Sequence, residues 1–201
     1  DLKKLLKIMD GDIEINFFPK KNNDKKAYFS SIKNKKPDLA IIAVPDHLHS
    51  LITIDLMKKN IHCLVVKPLT NLVSDAKKMI LIKNKLNLIG EVEFHKRYDQ
   101  ANLMIKNSIK NNEFGDLQYA VIEYSQKKII PLSIFKKWSE KTNIFQYLGV
   151  HYVDLIYWMT NFIPIEVTAW GQKEYLKNSN INTYDSIQVV IKWKKNNKKN
   201  S

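Results

Sequence analysis

Leu39-Ala40-Ile41-Ile42-Ala43-Val44-Pro45 and Ile61-His62-Cys63-Leu64-Val65-Val66-Lys67-Pro68 are two apolar runs, each closed by a proline. Between them Leu48, Leu51, Ile52, Ile54, Leu56 and Met57 recur near helical spacing. Continuous apolar runs of this length suit parallel strands buried on both faces, and a helical crossover joining them makes a βαβ unit. Further on, Leu72, Ala76, Met79, Ile80 and Leu86 mark a second helix and Leu88 to Phe94 a third strand, so the pattern predicts a doubly wound parallel sheet. Upstream, the chain opens inside a helical pattern over Leu2 to Met9, followed by a strand over Ile13 to Phe18 and a short helix over Ala27 to Ile32.

From about His95 the character changes. A helix is predicted around Gln100 to Lys110, and β-type alternation over Leu117 to Ser125, Ile165 to Gln172 and Ser186 to Trp193. The apolar, aromatic segment Phe145 to Met159 has helical length, so the second half reads as an antiparallel sheet with a helix inserted. The expected division is residues 1–96 and 97–201, and the tail from Lys194 to Ser201 is polar.

The formal charge of +13 invites a nucleic-acid reading, but Arg97 is the lone arginine among 33 basic residues. The lysines are scattered among asparagines, and no helix carries the arginine face that reads guanine edges, so nucleic acid is not an expected partner. No apolar run is long enough to span a membrane, and residues 1–4 lack the features of a signal peptide; the expectation is a cytoplasmic protein with no membrane partner. Cys63 is alone, inside a strand, and reads as a buried spectator; no Cys/His cluster has zinc spacing, so no metal is expected.

Three motifs carry a resemblance. Ala43-Val44-Pro45-Asp46-His47-Leu48-His49 is similar to "A-T-P-x-x-x-H", Asn60 to Leu69 is similar to "G-K-H-V-x-x-E-K-P-L", and Gly149-Val150-His151-Tyr152-Val153-Asp154 is similar to the end of "D-x-G-x-H-x-x-D". Occurring in this order, they make the chain resemble the Gfo/Idh/MocA family of NAD(P)-dependent sugar and polyol dehydrogenases. The resemblance implies a Rossmann-type parallel-sheet domain, truncated here, followed by an α+β domain with an open antiparallel sheet. It also implies a sugar or polyol substrate, and pairing of chain copies through the antiparallel sheet.

The resemblance assigns roles residue by residue. Lys67, where a parallel strand ends, and His151 are the groups that handle the proton of the substrate hydroxyl, and both chemistries suit the task. Asp154 would support them, with Tyr147, Trp138 and Arg97 at the substrate. Pro45, His49 and Lys67 would border the nicotinamide. Other roles stay open: His49 as an ordinary first-turn helix residue, Asp46 as a helix cap, Arg97 in a surface ion pair, and Trp138 as core. Two positions depart from the pattern, with Val66 in place of a glutamate and Tyr147 in place of an aspartate.

The glycines are Gly11, Gly90, Gly115, Gly149 and Gly171, so no G-x-G-x-x-G phosphate loop is present. The expectation is a piece of a longer protein, with residues upstream of Asp1 supplying a strand and a glycine loop and the sheet domain continuing beyond Ser201. Lys20, after the strand ending at Phe18, lies where a basic residue suits a 2′-phosphate, a lean towards NADP over NAD. The leading expectation is an oxidoreductase in its full-length form. The alternative is a non-catalytic relative acting as a sugar-binding, accessory or regulatory protein, suggested by Val66 and Tyr147.

Overall fold

The computed structural model describes Phe18, residues 26–33 and residues 35–196. The expected opening helix, all of the following strand but Phe18, and Lys20 lie outside the described residues. The chain divides between Asp38 and Leu39. In the first unit, α1 (Ala27–Ile32) is the described helix, as expected from its sequence.

The second unit opens with β1 (Leu39–Ile42), a 3-10 turn (Asp46–Leu48), α2 (His49–Met57), β2 (His62–Val66), α3 (Val73–Lys85) and β3 (Gly90–Glu93). The three strands pair in parallel in the order β1-β2-β3, Leu39 opposite His62 and Cys63 opposite Gly90. β2 is central, and Cys63 and Val65 are each only 1% exposed. Burial pushes the Cys63 thiol up to about 11, which makes it a neutral core residue and no nucleophile. β1 corrects the expectation of a strand covered on both faces. It is an edge strand among the described residues, and Leu39 (51%) and Ile41 (67%) are exposed while Ile42 is buried.

The helices end in a shared way. Asn60, Asn87, Asn112, Asn161 and Asn180 all have positive φ, each at or just past a helix C-terminus. Asparagine tolerates this left-handed geometry, which usually falls to glycine. After four of them a backbone N–H reaches back five residues: Ile61 to Leu56, Leu88 to Lys83, Glu113 to Ser108 and Ile181 to Leu176. Ile61, Leu88 and Ile181 are buried, the apolar contact that accompanies such caps. Part of the asparagine excess is therefore structural.

Next come a 3-10 turn (His95–Tyr98), α4 (Gln100–Lys110), a π-turn (Ile130–Ile134), a 3-10 turn (Ser139–Lys141) and a π-turn (Phe145–Gly149) running into α5 (Val150–Thr160). The expected strand over Leu117 to Ser125 does not form. Its residues pair with no strand among those described, and Tyr119 and Val121 are more than 80% exposed. Alternation alone does not make a strand; the backbone needs a ladder partner.

β4 (Ile163–Gln172), α6 (Tyr175–Asn178) and β5 (Ser186–Lys194) complete the unit, β4 and β5 pairing antiparallel with a bulge between Pro164 and Glu166. The helix α5 precedes this sheet. The architecture is mixed α/β: a three-stranded parallel sheet plus a two-stranded antiparallel one.

Candidate active site

β2 delivers Lys67 at its carboxyl end, where the cis peptide Lys67-Pro68 begins the following turn. The side chain is only 7% exposed. Its Nζ donates to the carbonyl of Tyr147 at 2.5 Å and lies 3.8 Å from the centre of the Tyr147 ring. Burial lowers the ammonium from the ordinary lysine value, opposed by the charges of Asp46 and Glu93.

The other wall is the start of α5. Asn143 Oδ1 accepts from the Phe145 and Gln146 N–H groups and so opens the π-turn that carries Tyr147. Gly149 follows because a Cβ there would overlap the Phe145 ring. His151 is 2% exposed, its Nδ1 has no partner, and its ring meets His95 edge-on at 4.6 Å. Burial, with the charges of Lys67, His95 and Lys96, holds this imidazole down at about 4. It is therefore neutral at pH 7.

Three bonds tie the α5 approach to the strand-end loops. Thr142 Oγ1 donates to Asp46 Oδ2 at 2.7 Å, Asn71 Nδ2 to the Lys141 carbonyl at 2.5 Å, and Gln146 Nε2 to the Asn71 carbonyl at 3.3 Å. Asp46, buried, is thus a partner of Thr142, and no side-chain cap hydrogen bond forms at its own turn. The sequence carries no periodic signal for these contacts.

The remaining expected residues are placed as follows. Arg97 and Asp154 meet each other: Nε donates to Oδ2 at 2.7 Å and an Nη to Oδ1 at 2.5 Å. The carboxylate raises the guanidinium further. This bidentate pair takes up Nε and one Nη of the guanidinium, and Arg97 stays part-exposed beside it. Trp138 packs against Phe135 at 4.3 Å and Tyr147 at 6.3 Å. Burial raises the Tyr147 phenol, with Asp46 adding to it, and keeps it neutral.

His49 is buried, with Nδ1 2.6 Å from the Pro68 carbonyl and Nε2 2.8 Å from the Val44 carbonyl. Both nitrogens face backbone, a bridging role between the two strand ends. Pro45 starts the 3-10 turn, its carbonyl accepting from Leu48 N–H at 2.8 Å. Two grooves flank the cluster. One, of about 500 Å³, is polar and includes His47, Ser50, Asn71, Asp75 and Gln146. The other, of about 430 Å³, is walled by Tyr124, Phe135, Tyr147, Tyr175 and Tyr184. Tyr147 links the second groove to Lys67. Glu93 and His95, at the end of β3, join the cluster without having been expected as a working pair.

Two family models match the sequence: the oxidoreductase family with an NAD-binding Rossmann fold over residues 13–94, and the GFO/IDH/MocA C-terminal domain over residues 103–198. The chain belongs to the Gfo/Idh/MocA oxidoreductase family. YteT of Bacillus subtilis, a protein named as an oxidoreductase, is 26% identical over 153 residues, 74% of this chain and 36% of that protein. Glucose-6-phosphate 3-dehydrogenase of the same organism is 23% identical over 159 residues, 75% of this chain and 43% of the enzyme.

Among solved structures, an inositol dehydrogenase homologue from Azotobacter vinelandii, complexed with NADH and myo-inositol, superposes with a TM-score of 0.74 at 17% identity, over 84% of this chain and 45% of that one. Myo-inositol 2-dehydrogenase from Lactobacillus plantarum gives 0.70 at 22% identity, over 83% and 50%. These structures share the Gfo/Idh/MocA fold. The chain spans half or less of the length of each of these relatives.

Proposed function

We propose that the full-length protein is an NAD(P)-dependent oxidoreductase transferring a hydride between the nicotinamide ring and a CH–OH carbon of a sugar, polyol or sugar derivative. The observation that carries this reading is the burial of Lys67 and His151 within electrostatic reach of each other. They come from separate elements, both are buried, and the lysine charge acts on the imidazole. Buried proton-handling groups beyond the carboxyl ends of parallel strands suit removal of a hydroxyl proton.

The cofactor fits beside Pro45 and Lys67. Beyond the end of β1 the Nδ1 of His47 is buried without a partner, a polar atom placed for a ligand group. Burial holds that imidazole below its ordinary value. When bound, the nicotinamide accepts or returns the hydride. Lys67 holds the hydroxyl oxygen, His151 exchanges its proton, and Asp154 with Arg97 fixes the first turns of α5. The aromatic groove at Tyr147 and Trp138 receives the sugar face. We place the division between cofactor and substrate domains near residue 96. NADP is the favoured cofactor, from Lys20.

A non-catalytic reading is favoured by one observation: the Tyr147 carbonyl and ring already occupy the Lys67 ammonium. Fluorescence titration of the full-length protein with NADH and NADPH separates the two. Binding of either, followed by reduction of the oxidised cofactor with a member of a polyol, aldose and sugar phosphate panel, is expected. Failure to bind both contradicts the enzyme.

A further inference from the structure

His151 has a nitrogen that its pocket leaves unsatisfied. Nδ1 is buried without a hydrogen-bond partner, which is unfavourable for a polar atom out of reach of water. Two rings lie against this imidazole: Phe94 at 6.2 Å and His95 at 4.6 Å, the latter edge-on at 72°. Of these, His95 carries nitrogen. Its own Nδ1 lies 3.1 Å from Oε2 and 3.0 Å from Oε1 of Glu93. A carboxylate at Nδ1 holds a hydrogen there and leaves Nε2 as the lone-pair nitrogen. The His95 side chain is 55% exposed, whereas His151 is buried, so the two rings run from solvent to interior. The charges around His151 are those of Lys67 after β2, Lys96 in the turn after β3, and Glu93 on β3 itself.

We propose that a turn of the His95 ring on its Glu93 anchor brings its Nε2 to the unpartnered Nδ1 of His151, so that His95 passes protons between that buried imidazole and water. The inference rests on the oxidoreductase reading above. As a hydroxyl-bearing carbon is oxidised, the C–H electron pair leaves as hydride to the nicotinamide and the C=O bond forms. The O–H proton goes to Nε2 of His151, which releases its Nδ1 proton to Nε2 of His95. His95 then loses that proton to water and is unchanged, while His151 is left with its hydrogen on Nε2 and returns to the Nδ1–H tautomer by giving up the Nε2 proton to water and regaining one at Nδ1 before the next turnover. Glu93 stabilises the transient imidazolium, in a site where Val66 and Tyr147 supply no carboxylate. Both residues act through His151 and are positioning residues.

His95→Phe tests this, because it keeps a ring edge against His151 and removes the nitrogens; Glu93→Gln is a milder companion. In full-length protein without cofactor or substrate, the ring N–H of His151 should exchange with water at least about tenfold more slowly in His95→Phe, read from nitrogen-15 histidine spectra. In turnover, His95→Ala should lose about 10- to 100-fold in kcat, and added imidazole should restore part of it, a rescue that a packing role cannot produce. Glu93→Gln should shift the acidic limb of the pH–rate profile. Unchanged ring-proton exchange in His95→Phe overturns the proposal, as does a kcat loss that imidazole leaves untouched. A wild type with no turnover removes the oxidoreductase reading, while the exchange measurement still decides the His95 contact.

Discussion

The parallel and antiparallel sheets of this chain are built from similar residues and end in opposite conditions. In β2, Cys63 and Val65 are buried on the side packed by α2, whereas all ten residues of β4 are exposed, Val167 and Trp170 among them. The apolar faces are comparable; the covering layers are not. Stability and chemistry therefore concentrate where helices cover the sheet, and Lys67 sits at the edge of that covered region.

Substitutions can break this contrast. Ile61→Ala, at a residue with no exposure, should lower unfolding stability by about 3 kcal/mol in urea titration. Val167→Ala in β4 should stay within about 0.5 kcal/mol. Equal losses would contradict the contrast.

The buried His151 gives a pH signature to the covered side. Its pKa is about 4 in the folded chain against an ordinary 6.5, so the unfolded state binds more protons between these values. Its contribution is fully present above about pH 6.5 and is lost as pH falls towards 4, amounting to at most about 3 kcal/mol. Urea midpoints at pH 7.5 and 4.5 should therefore differ less in His151→Gln than in the wild type. Arg97→Ala, which strands the Asp154 carboxylate, should cost about 2 kcal/mol in the same assay.

The asparagine caps give a smaller effect than His151 and Arg97, equal on both sides. Asn60→Ala and Asn180→Ala should each cost about 1 kcal/mol because the left-handed strain is local, with the glycine variants near neutral.

Periodicity made most of the covered half legible. The apolar runs ending at Pro45 and Pro68 form β1 and β2, and the helical spacings of α2, α3 and α4 hold within a few residues. Leu117 to Ser125 shows the limit, since alternation records a tendency while a strand needs a partner. In the site, the motifs singled out Lys67 and His151, but the bond of Arg97 to Asp154 and that of Thr142 to Asp46 join distant residues through side-chain geometry that no local pattern encodes. The asparagine caps were hidden by a composition rich in that residue. Their local signal is an asparagine closing a helical pattern, in three cases followed by an apolar residue that is buried.

On the proposed reading Lys67 and His151 are the proton-handling pair of the full-length enzyme. Rates of cofactor reduction by full-length wild type, Lys67→Met and His151→Asn, with a substrate found in the polyol and sugar panel, test it most directly. The expected result is a kcat loss of about 100-fold or more in each variant, with reduced-cofactor affinity retained. Wild-type rates in both variants would contradict it.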